Sequence, residues 1–139
     1  MKIRDVMHKG VVAVDPGTSI RDLAATMRDE DIGAIPVIEN DRLVGMVTDR
    51  DLVCRGLADG HDIEALTARD IMTVPGLFCT ETGDVEDAVH LMNGQKVRRL
   101  PVVDSEERVI GMLTLGDISA GASRDLSGEA IKAVSAHHV

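Results

Sequence analysis

This chain of 139 residues predicts an α/β fold built from two copies of one β-α-β-β-α unit. Three observations predict it: an internal repeat, a helical apolar stripe in each copy, and a hairpin pattern directly after each stripe. Residues 4 to 51 align with 69 to 117 at an offset of 65, rising to 66 after a one-residue insertion near Glu106. Identical pairs include Arg4/Arg69, Asp5/Asp70, Met7/Met72, Met27/Met92, Pro36/Pro101, Arg42/Arg108, Gly45/Gly111, Thr48/Thr114 and Asp51/Asp117. The period exceeds the roughly 20–50 residues of solenoid repeats. It reads as a duplicated unit whose halves share one core, because each half alone would be marginally stable.

Each copy opens with a short strand, near Val11 to Val14 and Leu77 to Cys79. Asp15-Pro16-Gly17-Thr18 is turn chemistry. Ser19 then precedes Ile20, Leu23, Ala24 and Met27 at helical spacing, and Ser19 with Asp22 resembles a capping box. The second copy repeats the stripe with Asp84 ahead of Val85, Ala88, Val89 and Met92. Two apolar runs follow, Ala34 to Ile38 and Leu43 to Val47, and the polar residues Glu39-Asn40-Asp41-Arg42 between them predict a hairpin. Leu100 to Val103 and Val109 to Leu113 form the partner hairpin. Pro36 and Pro101 would disturb a central strand, so each is expected at a strand start or an edge. Helices return at Asp49 to Leu57 and Leu115 to Ala120. The boundaries read as 1–60 for the first unit, 61–68 for a linker, 69–122 for the second unit and 123–139 for a C-terminal helix and tail.

Composition narrows the function. A net charge of −9 argues against duplex DNA or RNA and against an anionic membrane surface. Phe78 is the sole aromatic residue, so the core must be aliphatic and a planar ligand would lie between aliphatic side chains. Phe78 itself is read as core before it is read as a stacking partner. Cys54 and Cys79 have no CxxC or zinc spacing and read as reduced fillers. His8, His61, His90, His137 and His138 show no metal-ligand spacing and read as exposed surface histidines. No secretion signal or membrane-spanning run is found, so a cytoplasmic protein is expected. No catalytic constellation, P-loop or dinucleotide fingerprint stands out, and an enzyme is not expected.

The chemistry-bearing motif closes each hairpin: Gly45-Met46-Val47-Thr48-Asp49-Arg50-Asp51 and Gly111-Met112-Leu113-Thr114-Leu115-Gly116-Asp117. The glycine permits close backbone approach. A Thr followed three residues later by Asp is a helix-capping arrangement. The same carboxylate could accept two hydrogen bonds from a vicinal diol such as ribose, and the helix N-terminus suits a phosphate. Both uses remain open on the residues alone.

The chain resembles a tandem pair of CBS domains, a Bateman module. The resemblance rests on D-[VI]-M near each start, [IL]-P-V in each first hairpin strand and G-M-[VL]-T-x-x-D at each end, over about residues 3 to 122. It implies two units packed about a pseudo-twofold axis, a disc-like homodimer, and adenosine-containing ligands. One site would combine Thr48, Asp49, Arg50 and Asp51 with Leu77, Phe78, Arg98 and Arg99. The other would combine Thr114 and Asp117 with Val12, Ala13, Gly33 and Ala34. Arg98-Arg99 aligns with Gly33-Ala34, and guanidinium groups bind phosphate in bidentate fashion. The first site is therefore the expected nucleotide site, and the second would be empty, weak or suited to a less charged adenosyl compound.

The function so implied is an adenine-nucleotide-binding regulatory module, stand-alone, acting through shape change or partner affinity. AMP, ADP and ATP are the first candidate ligands, with NAD and S-adenosylmethionine after them; no metal and no obligatory cofactor are expected. Leu52, Val53 and Leu57 with Ile118 and Ala122 are the expected dimer surface, and an unidentified protein partner is the other expected contact. The competing readings are a ligand-free interaction module whose T-x-x-D elements only cap helices, and a metal- or redox-responsive stress protein.

Overall fold

The computed structural model describes residues 1–74 and 77–121; the helix expected over 123–139, Ala122, His137 and His138 lie outside the described residues. The chain divides into two compact units, and these cut across the repeats. One is contiguous, residues 12–74 of the described chain. The other joins residues 1–11 to residues 77–121.

In the contiguous unit, helix α1 (Ile20–Glu30) buries Ile20, Leu23 and Met27, and Ser19 caps it by accepting the Asp22 N–H at 3.1 Å. Strands β2 (Ala34–Glu39) and β3 (Arg42–Thr48) pair antiparallel. Their two-residue turn, Asn40-Asp41, has φ of 54° and 64°, the signs of a type I′ turn whose twist matches the strands. Helix α2 (Asp49–Asp51) runs on as a π-helix over Leu52–Leu57, where the Ala58 N–H reaches the Val53 carbonyl at 2.9 Å. A short helix α3 (Ala68–Ile71) then docks on this same sheet. Ala68, Ile71 and Met72 are buried with Leu23, Ile35, Val37 and Val47, and Thr73 exchanges two backbone hydrogen bonds with Met46, at 2.8 and 3.2 Å. The opening of the second repeat thus completes the core of the first.

The discontinuous unit shows the reciprocal exchange. Strand β1 (His8–Lys9) pairs antiparallel with β6 (Val109–Thr114), giving a sheet in the order β1-β6-β5-β4, with β4 at Cys79–Thr80 and β5 at Arg99–Val103. Helices α4 (Val85–Gln95) and α5 (Leu115–Gly121) cover it. Its core joins Ile3 to Val85, Val89, Met92, Leu100, Leu113 and Ile118. Burying such a side chain fully contributes about 1.5–3 kcal/mol.

The signature glycines explain how an extra segment fits. A Cβ on Gly45 would lie 2.6 Å from the Met72 sulfur, and one on Gly111 would lie 2.2 Å from the His8 carbonyl oxygen. D-[VI]-M and G-M-[VL]-T are therefore two halves of one contact, repeated.

Several expectations are corrected. Pro101 is the third residue of β5, an inner strand. It is tolerated because β4 pairs only from Val102 onward. Pro36 shows the geometry directly: its carbonyl accepts the Val14 N–H at 3.1 Å, so its missing N–H lies on the same side, just before parallel pairing begins. Phe78 is exposed (43%) rather than core, because it lies in the lead-in to the two-residue strand β4. Ile118 is fully buried in its own unit and offers nothing to a partner. Of the strand expected at Val11 to Val14, only Val14 pairs. Asp84 makes no side-chain cap; its carboxylate pairs instead with Lys2 at 3.1 Å.

Candidate functional site

The two T-x-x-D corners are built the same way. The hairpin strand ends at the Thr, whose hydroxyl accepts the Asp N–H at 3.1 Å in both copies, Thr48 with Asp51 and Thr114 with Asp117. The Asp Oδ2 accepts the Thr N–H in return, at 2.8 Å for Asp51 and 2.9 Å for Asp117. This reciprocal bracket satisfies two donors that the helix start would otherwise leave unpaired. It uses one carboxylate oxygen in each copy and leaves Oδ1 on the outer side.

What surrounds Oδ1 differs. Arg55 Nε lies 4.0 Å from the Asp51 Oδ1, while Arg55 Nη1 donates to the Ile71 and Met72 carbonyls at 3.4 and 3.2 Å. At Asp117, His8 Nε2 lies 2.9 Å from Oδ1. Neither Arg55 nor His8 figures among the residues expected from sequence. A signal for His8 was available: it aligns with Thr73, the first position at which the two D-[VI]-M openings part company.

Within each unit the corner meets the residues that precede its own hairpin. Ala34 pairs with Thr48, and the Asp49 N–H donates to the Gly33 carbonyl at 3.0 Å. Likewise Arg99 pairs with Thr114, and the Leu115 N–H donates to the Arg98 carbonyl at 3.1 Å. Val12 and Ala13 belong to the first of these units, and Leu77 and Phe78 to the second. The corners also differ in the two residues inside the bracket. Asp49 and Arg50 are exposed and charged, the Asp49 carboxylate accepting the Arg50 N–H at 2.9 Å. Their counterparts are Leu115, buried in the core, and Gly116. Arg98 is exposed and Arg99 half-buried.

Other chemistry is sparse. Cys54 and Cys79 are free thiols, and burial pushes the Cys79 thiol up to about 12. Among the described residues no group of three or more His, Cys, Asp or Glu is placed to hold a metal ion. No described helix is long and apolar enough to cross a membrane. An open depression of about 490 Å³ lies at the far, hairpin end of β2, where Glu39 and Arg69 pair at 2.6 Å.

The CBS domain family model matches twice, over residues 3–55 and 68–122. This chain belongs to the CBS-domain family, as a tandem pair. Hypoxic response protein 1 of Mycobacterium tuberculosis is 35% identical over 132 residues, covering 94% of this chain and 92% of that protein. Its crystal structure, with two coordinated zinc ions, superposes with a TM-score of 0.80 at 34% identity, covering 88% of this chain and all of that one. CBSX2 in complex with AMP gives a TM-score of 0.74 at 29% identity, over 86% of this chain and 93% of that one. The CBS domain pair of protein MJ0100, in complex with 5′-methylthioadenosine and S-adenosylmethionine, gives 0.77 at 26% identity, over 86% and 98%.

Proposed function

We propose that this protein is a regulatory module, not an enzyme, that binds an adenosine-containing ligand, AMP-like compounds first. The observation that carries this reading is the half-used acid. Asp51 and Asp117 each commit Oδ2 to a cap and turn Oδ1 outward; at Asp51, where Arg55 Nε stays 4.0 Å away, this leaves lone pairs for a ribose hydroxyl, while at Asp117 His8 Nε2 lies on Oδ1. Two related proteins of this fold carry adenosyl compounds, as their structures state. Thr48, Asp49, Arg50 and Asp51 would take ribose and phosphate at one site, with Arg98 and Arg99 adding charge-assisted phosphate contacts and Leu77 and Phe78 facing the base. Thr114 and Asp117, with Val12, Ala13, Gly33 and Ala34, would form the other site. Ligand binding would act by favouring one arrangement of the protein over another. A homodimer and a protein partner that reads its state complete the reading, with Val53 and Leu57, both exposed on the π-helix, as contact residues.

Calorimetric titration with AMP, ADP, ATP, NAD and S-adenosylmethionine tests it; no heat from any at millimolar concentration sinks it. The complete capping boxes favour a second reading, a ligand-free interaction module. Asp51→Asn separates the two. If Asp51 holds ribose, the variant loses binding, beyond whatever stability its cap contributes in either case. If Asp51 is only a cap, stability falls by about 1 kcal/mol with no binding to lose.

A further inference from the structure

Asp117 is the more buried of the signature acids, at 8% side-chain exposure against 14% for Asp51. Both of its oxygens already have partners inside the protein: the Thr114 N–H on Oδ2 and His8 Nε2, at 2.9 Å, on Oδ1. At Asp51 the nearest cationic atom is 4.0 Å from Oδ1, beyond hydrogen-bonding distance. The position of His8 is fixed from below. It sits on β1 opposite Met112, with its carbonyl passing so close over Gly111 that no side chain fits there. Its ring is 73% exposed, so it covers the carboxylate from the solvent side. Thr73, the aligned residue in the other unit, has no imidazole to offer.

We infer that His8 is a selectivity residue: a tethered imidazole on the Asp117 oxygen that a ribose hydroxyl needs. The Asp117 corner then admits a vicinal diol only by displacing His8, whereas the Asp51 corner is open. This rests on the adenosyl-ligand reading above. Few other ionisable groups lie near His8. β6 carries no ionisable side chain and α5 carries Asp117 alone, while β1 adds Lys9 and the preceding turn Arg4 and Asp5.

The test is AMP titration of the full chain as wild type, His8→Ala and His8→Gln, with Asp117→Asn to assign the binding event. His8→Ala tightens the Asp117-dependent event about two- to fivefold, the size of an exposed ion pair. The Asp51-dependent event does not move. His8→Gln keeps a neutral donor on Oδ1 and tightens that event less than His8→Ala does. With 2′,3′-dideoxy-AMP, which lacks the diol, His8→Ala changes nothing. Weaker or unchanged AMP binding at the Asp117 corner in His8→Ala, while the Asp51 corner still binds, overturns the role of His8 alone. No AMP binding at either corner in wild type and His8→Ala overturns the ligand reading, and this inference with it.

Discussion

The corners at Thr48–Asp51 and Thr114–Asp117 share a hydrogen-bond bracket, with Thr N–H to Asp distances of 2.8 and 2.9 Å. They differ in the side chains around it. One is flanked by Asp49, Arg50 and a distant Arg55; the other by Leu115, Gly116 and a close His8. The bracket is what the backbone requires at a strand-to-helix corner, since unpaired helix-start N–H groups are costly. The outer oxygen carries no such requirement. Duplication therefore kept the bracket that folding requires and left free what surrounds the outer oxygen.

The largest expected effect sharpens the same contrast in the cores. Leu23 is fully buried in one unit, and its aligned residue in the other is Ala88, also buried. Leu23→Ala should cost about 3 kcal/mol, read from the urea midpoint. A loss below about 1 kcal/mol would mean that this core collapses freely around the gap. Next come the signature glycines. Gly111→Ala drives a Cβ into a backbone carbonyl at 2.2 Å, while Gly45→Ala meets first the flexible end of Met72 at 2.6 Å. Expected losses are about 3 kcal/mol and about 1–2 kcal/mol; the reverse order would break the account of how the exchanged segments seat.

The smallest effect concerns the hairpin turns. The first turns on two residues with positive φ, and the second on Asp104, which accepts the Glu106 and Arg108 N–H groups and the Arg108 guanidinium. The Arg108 backbone N–H, foremost, holds the Asp104 carboxyl below the usual carboxylate range against the opposing effect of desolvation. A lowered folded-state value means that Asp104 contributes stability above its unfolded pKa, about 4, and loses it as pH falls through the lower folded value. Amide protection factors near Asp104 should fall below pH 4 before those near Asn40 do.

Local chemistry was legible in the sequence wherever periodicity and turn residues act over a few positions. Ser19 caps as its spacing implied, Asn40-Asp41 turns the hairpin, and Gly45 and Gly111 mark close approach. Contacts between distant segments were not legible. Nothing near His8 in the chain points to Asp117, and without H-x-x-H spacing His8 reads as an ordinary surface residue. Pro101 misled because the rule against proline in inner strands assumes full-length neighbours, and β4 has two residues. The switch to a π-helix after Asp51 has no composition cue; Leu52 to Leu57 read equally well as an α-helix.

The exchange of opening segments also sets an order of assembly. Residues 12–74 form a contiguous unit that can close its core as soon as α3 emerges from the ribosome, and a fragment ending at residue 60 would lack Ala68, Ile71 and Met72 from that core. Residues 1–11, made before that unit, must wait for β6, made after it. Such non-local pairing delays folding. The segment that carries His8 is thus synthesised ahead of residues 12–74 and finds its place after them.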